Sequence, residues 1–188
     1  MNKKKYYIER QIIRKQRKAL SSDFFNSAAK NVFDRVIQLP QFRKAKHIAC
    51  YLSHENEIDT ALIIAAAYAA HKQVYLPIFS DQKENPLSFY LVKADDSLKK
   101  NKLGILEPVA KSAPVSVETF DLMFVPMVAF DEHCNRLGRG VGAYDRYLEK
   151  HRPYLIGLAY EFQKLDAITR ESWDVPMDCV VTENKIYS

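Results

Sequence analysis

Apolar positions recur every three or four residues at the start of the chain, then give way to short continuous runs separated by polar turns. Ile8, Ile12 and Ile13 fall at helical spacing beside Arg10, Arg14 and Arg17, with no Gly or Pro across 4–20; this predicts an amphipathic, basic first helix. The stretch Ser21-Ser-Asp is a capping signal. It opens a second helix through Ile37 whose apolar face carries Phe24, Phe25, Ala28, Val32, Phe33 and Val36 and stops before Pro40. The run over 47–52 then reads as a buried strand, and the polar turn over 53–57 leads into a buried helix over 59–70. A strand over 73–77 closes a βαβ unit, for which a right-handed crossover is expected. Further strands are predicted over 87–92, 120–126, 154–160 and 178–182, with a helix over 144–151.

Strands and helices alternate for most of the chain, which predicts an α/β fold with a mostly parallel sheet covered on both faces. Ligands of such folds sit beyond the carboxyl ends of the strands, so the turns after Leu52, Pro77 and Pro126 should share one rim. The chain has 188 residues, 47% of them hydrophobic and 27% charged, enough for one domain with a continuous core. Domain 1–188 is therefore read as a unit, with the helices of 4–37 packed on the α/β core. The net charge is +5 and the pI about 9.0, a balance open to nucleotides, acidic metabolites, RNA or a membrane surface. Cys50, Cys134 and Cys179 are odd in number and widely spaced, which suggests neither a disulfide framework nor a zinc site and favours a reducing compartment. The basic start has no apolar run behind it, so it is no secretory signal. The most apolar run, 60–70, is about half the length needed to cross a bilayer.

Chemistry concentrates in one stretch, Asn135-Arg-Leu-Gly-Arg-Gly-Val-Gly-Ala-Tyr-Asp-Arg146. It holds three of the five glycines in the chain. Alternating glycines let backbone N–H groups approach an anion, while Arg136 and Arg139 can add bidentate bonds to phosphate oxygens. The other reading is a glycine-rich turn with solvated arginines. The letters Gly138-x-Gly140-x-x-Ala143 imitate a dinucleotide fingerprint, but that motif belongs directly after the first strand of a βαβ unit. A P-loop would end in Gly-Lys-Ser or Gly-Lys-Thr, and neither tripeptide occurs.

Together, Val125-Pro-Met-Val-Ala-Phe-Asp131 and 135–146 resemble the signature of the 5-formyltetrahydrofolate cyclo-ligase family. Leu52-Ser-His-Glu-Asn-Glu-Ile-Asp-Thr60, Val74-Tyr-Leu-Pro77, Gly104-Ile-Leu-Glu-Pro108 and Trp173-Asp-Val-Pro-Met-Asp178 follow in the family's order. The resemblance implies a three-layer α/β/α fold of the NagB/RpiA/CoA-transferase type. It also implies ATP- and Mg²⁺-dependent cyclisation of 5-formyltetrahydrofolate to 5,10-methenyltetrahydrofolate, with ADP and phosphate released. The substrate would carry a single glutamate or a polyglutamate tail, and the expected setting is a cytoplasmic monomer without nucleic-acid or membrane partners.

Carried over by position, Arg136, Leu137, Gly138, Arg139, Gly140, Val141, Gly142, Ala143 and Tyr144 would cradle ATP, with Arg139 the catalytic arginine at the transferred phosphate. Lys5, Arg10 and Arg14 would reach ATP from the first helix. Leu52 and Glu57 would contact the folate, and Asp145 and Asp174 would hold Mg²⁺. On local grounds alone, Glu57 suits a helix start, Asp174 a turn before Pro176, and the basic helix a solvated face. Two positions depart from the family pattern: Tyr6 stands where a lysine is expected, with Lys5 as its substitute, and Ala143 stands where the family has an aromatic ring. Tyr51, Phe79 and Trp173 are the candidates to replace that ring. A folate- or nucleotide-binding paralogue with little turnover is the alternative that Ala143 raises. A basic RNA-binding protein is the alternative from another class, though the chain lacks an aromatic RNP-type motif.

Overall fold

The computed structural model describes residues 2–80, 86–102, 104–109, 113–149 and 151–188, with side chains from Tyr6 onward. The chain begins with α1 (Asn2–Lys18), α2 (Ser22–Val36) and a short α3 (Pro40–Lys44). Ser21 caps α2 as its sequence predicts, its Oγ accepting the Phe24 N–H at 3.2 Å. Pro40, read as a stop, also starts α3, because its fixed φ suits the first helical turn where no N–H bond is needed.

The main sheet is laid down by β1 (His47–Ala49), β2 (Gln73–Phe79), β3 (Leu87–Val92), β6 (Leu122–Pro126), β9 (Tyr154–Leu158), β10 (Cys179–Val181) and β11 (Ile186–Tyr187), with α4 (Ala61–Ala69) joining β1 to β2. Two ribbons complete the strands among the described residues: β4 (Leu98–Lys100) with β5 (Leu106–Pro108), and β7 (Ala129–Phe130) with β8 (Arg136–Leu137). The last helix, α5 (Ala143–Tyr147), lies between β8 and β9. Strand order is β11-β10-β9-β6-β1-β2-β3. The inner five strands are parallel, and β3 and β11 pair antiparallel at the two edges.

Alternation along each strand divides the core into two layers. Ile48, Val74, Leu122, Phe124 and Ile156 face one layer with Val32 and Val36 of α2 and Ile63 and Ala67 of α4. Ala49, Tyr75, Met123, Val125 and Leu155 face the other, beneath Phe120, Tyr144 and Leu148. Each fully buried side chain of this size contributes about 1.5–3 kcal/mol. The second layer is thus covered by α5 and irregular segments rather than by long helices. Two expectations change here. The helix over 59–70 is not buried all round: Ile63 and Ala67 are buried, but Leu62 is exposed. The helix expected over 144–151 instead spans Ala143–Tyr147 and is capped at Leu148.

The carboxyl ends of β1, β2 and β6 form one rim, and buried polar groups pin it. The turn after β1 is shaped by Tyr51 Oη donating to Ile58 O (3.0 Å), Thr60 Oγ1 donating to Tyr51 O (2.6 Å) and Ser53 Oγ donating to Glu57 O (2.8 Å). The Cys50 N–H still reaches Tyr75 O at 2.9 Å, and beyond it these bonds fold the chain into the turn, so β1 is shorter than its apolar run. Glu107, buried in β5, accepts Phe79 N–H at 2.9 Å and Asn101 Nδ2 at 2.7 Å. That carboxylate fastens the β4–β5 ribbon over the end of β2.

Candidate functional site

The glycine loop rises from the β7–β8 ribbon, which folds around the buried carboxylate of Asp131. Asp131 accepts the N–H groups of His133 and Asn135 at 3.0 Å, the Asn135 amide at 2.9 Å and the Ile168 N–H at 2.9 Å. One side chain therefore fixes where the loop starts. Gly140 and Gly142 have φ of +100° and +65°, backbone that a side chain would strain. Gly138 has no such requirement and open space where a Cβ would point.

The loop is a wall between two chambers. The first, about 640 Å³, is lined by Tyr51, Leu52, Glu57, Phe79, Met127 and Tyr144, with Lys99, Lys100 and Glu107 of the β4–β5 ribbon at its edge. The second, about 1040 Å³, is lined by Tyr6, Arg10, Arg146, Trp173 and Asp174. Arg136, Gly138, Val141, Gly142 and Asp145 border both. Each chamber carries acids and bases that already meet. Arg139 Nη2 donates to Glu57 Oε1 at 2.8 Å, and Arg136 donates to Asp145 Oδ1. Arg10 Nε donates to Gly138 O at 2.7 Å, so α1 props the loop directly.

The three arginines of α1 do not converge. Arg10 touches the loop, Arg14 makes a two-pronged pair with Glu55 at 2.7 and 2.9 Å, and Arg17 is buried near Glu57. Arg14, expected at ATP, borders neither chamber; its guanidinium instead holds the Glu55 carboxyl below its usual range. Lys5 lies outside the residues whose side chains are described. Tyr6, in the place of the family lysine, accepts the Thr169 N–H at 2.6 Å and ties α1 to the segment before Trp173. Leu137 borders the second chamber, but its buried side chain joins the small core with Ile13 and Val128.

Tyr144 is buried with no hydrogen-bond partner for its hydroxyl, and burial pushes its phenol pKa up. The Arg136 guanidinium carbon lies 5.7 Å from its ring centroid. Ala143 borders the first chamber, as do Tyr51 and Phe79. Trp173, the third candidate to replace the missing ring, borders the second chamber and is 67% exposed.

Asp145 and Asp174 border the second chamber together. The Val175 N–H donates to Asp145 Oδ1 at 3.3 Å, which brings the two aspartate segments side by side. Asp174 Oδ2 also accepts the Glu171 N–H at 2.8 Å, the turn role its sequence context suggested. Among the described residues no cluster of three or more His, Cys, Asp or Glu side chains forms a closed metal cage. Two carboxylates on an open chamber suit a hard cation that keeps water or phosphate oxygens, rather than an all-protein site.

The sequence matches the 5-formyltetrahydrofolate cyclo-ligase family over residues 2–183. The chain belongs to this family. A 5-formyltetrahydrofolate cyclo-ligase of Haemophilus influenzae is 36% identical over 181 residues, covering 94% of this chain and 97% of its own. That of Escherichia coli K12 is 33% identical over 182 residues, covering 94% and 99%. The NMR structure of Aquifex aeolicus 5,10-methenyltetrahydrofolate synthetase superposes with a TM-score of 0.84 at 32% identity, over 97% of this chain and 91% of that one.

Several residues that shape this site in the cyclo-ligase fold carry no signal in the sequence pattern. Asp131 and Glu107 were visible only as letters within family-like segments; their carboxylates work through backbone N–H groups, which no side-chain pattern reports. His54 borders the first chamber, and burial followed by the charge of Arg139 lowers its pKa. Arg17 looked like one more basic residue of α1, although it is 1% exposed.

Proposed function

We propose that this chain is a 5-formyltetrahydrofolate cyclo-ligase, closing 5-formyltetrahydrofolate to 5,10-methenyltetrahydrofolate at the expense of ATP. The observation that carries the reading is the glycine loop as the shared wall of two chambers, one holding Glu57 and the other Asp145 and Asp174, in a chain of this family. The first chamber suits a folate ring system: aromatic and apolar walls for its faces, and a carboxylate that can accept two N–H bonds from its edge. The second chamber suits a triphosphate, with Arg10, Arg136 and Arg146 around the loop's backbone.

In this reading the formyl oxygen attacks the γ-phosphorus and ADP departs. N10 then bonds to the formyl carbon, the phosphorylated oxygen leaves as phosphate, and the N10 proton is lost. Such transfer depends on alignment and charge neutralisation more than on a covalent nucleophile. Arg139 lines the first chamber on the loop that separates the two, which supports a role for it at the transferred phosphate. Mg²⁺, held by Asp145 and Asp174, would neutralise phosphate charge. We assign the substrate one or several glutamates and the protein a cytoplasmic, monomeric setting; three buried free thiols support a reducing compartment.

Incubation of the purified chain with 5-formyltetrahydrofolate and Mg-ATP should release ADP and the methenyl product in equal amounts. Absence of both would overturn the proposal. Ala143 favours one second reading, a folate-binding paralogue, because the first chamber lacks the ring expected there. Tight folate binding by calorimetry without ATP consumption would establish that reading instead.

A further inference from the structure

Arg17 occupies the last turn of α1, 1% exposed, with Nε, Nη1 and Nη2 all lacking a hydrogen-bond partner. A buried guanidinium in that state is costly and calls for a physical reason. Its Nη1 lies 3.7 Å from Glu57 Oε1, in ion-pair range but too long for a hydrogen bond. Glu57 is the one carboxylate in that range among the described residues. The same oxygen accepts Arg139 at 2.8 Å, while Oε2 accepts the His54 N–H at 3.2 Å.

Two arginines thus face one carboxylate that is itself 7% exposed. The neighbouring acid does not redress the balance, because Glu55 is taken by Arg14. His54 adds no third cation at neutral pH, since its pKa is lowered from 6.5. The set of Arg17, Arg139 and Glu57 carries one surplus positive charge as it stands. It becomes neutral when the half-exposed Arg139 leaves and Glu57 remains with Arg17. Arg17 itself has little freedom to leave: it lies within α1, and its carbonyl accepts Asn56 Nδ2 at 2.9 Å, tying the helix end to the Glu57 turn.

We propose that Arg17 is a positioning residue for the folate, the permanent counter-charge of Glu57 that lets this carboxylate exchange Arg139 for neutral N–H donors of the substrate ring. The exchange frees Arg139 for the phosphates. This rests on the function proposed above. Without Arg17, a neutral ring displacing Arg139 would strip Glu57 of its remaining cation, an expensive state for a buried carboxylate.

Calorimetry with 5-formyltetrahydrofolate, and separately with Mg-ATP, tests the assignment on wild type, Arg17→Met, Arg17→Lys, Glu57→Gln and the Arg17→Met/Glu57→Gln double variant. Arg17→Met should weaken folate binding about 10- to 100-fold and change the Mg-ATP Kd by no more than about twofold. Arg17→Lys should recover part of the loss. In the Glu57→Gln background Arg17→Met should add no more than about twofold, because its effect passes through that charge. Unchanged folate affinity in Arg17→Met, a lysine no better than methionine, or an equal loss in the Glu57→Gln background would each overturn the assignment. Should thermal melts show Arg17→Met unfolded, Arg17→Lys with and without Glu57→Gln reads the same coupling. A wild type that binds no folate overturns the function itself, and this assignment with it; a wild type that binds while Arg17→Met binds equally overturns this assignment alone.

Discussion

On one side of the glycine loop the wall is Tyr51, Phe79, Met127 and Tyr144, with the β4–β5 ribbon held across its edge by Glu107; on the other it is Tyr6, Arg10, Arg146 and Trp173 around a wider space. The first chamber is mainly apolar surface with two buried carboxylates, Glu107 committed to the ribbon and Glu57 facing the loop, which favours a ring that fills it and presents N–H groups at one edge. The second is rich in arginine and bordered by two aspartates, which favours a charged, hydrated ligand whose position is set by many electrostatic contacts. The loop between them keeps its own cations paired, Arg139 with Glu57 and Arg136 with Asp145. A ligand that reaches these cations therefore has to replace an internal partner.

Arg139→Ala breaks the pair between the loop and Glu57 and should have the largest effect. Its kcat should fall about 10³-fold or more while a thermal melt shows the fold retained; steady-state kinetics unchanged from wild type would remove the residue from the reaction. Asp145→Asn tests the cation side of the loop, at a residue that borders both chambers. The Mg²⁺ concentration for half-maximal rate should rise about tenfold or more, with folate affinity by calorimetry unaltered. Ala143→Tyr acts on the first chamber alone and should be the mildest. Restoring an aromatic contact is worth about 0.5–1.5 kcal/mol, so the KM for folate should fall severalfold while that for ATP stays put. If the ATP value moved instead, the division into two chambers would be wrong at that position.

The alternating strands and helices were readable because each element buries a face with its own period, and Ile48, Val74, Phe124 and Ile156 behave accordingly. The two-residue strands β7 and β8 were not readable, since two residues carry no period at all. Nor was the early end of α5 at Tyr147. Of the site, the glycine loop was legible from residue type and spacing, and Asp145 only through the family resemblance. The fates of Arg10, Arg14 and Arg17 were not: helical phase put all three along one side, and only the packing of α1 against the loop and the turn after β1 sent them to three different partners.

By itself, the sequence determined the order of elements, the place where backbone is bare enough to receive an anion, and the family to which the chain belongs. Only the tertiary structure decided which charge meets which. Arg139 and Glu57 are 82 positions apart and Arg10 and Gly138 are 128 apart. Periodicity acts over a few residues, whereas a Coulomb partner is chosen by distance in space, and that distance exists only once the rim of the sheet has closed around the loop.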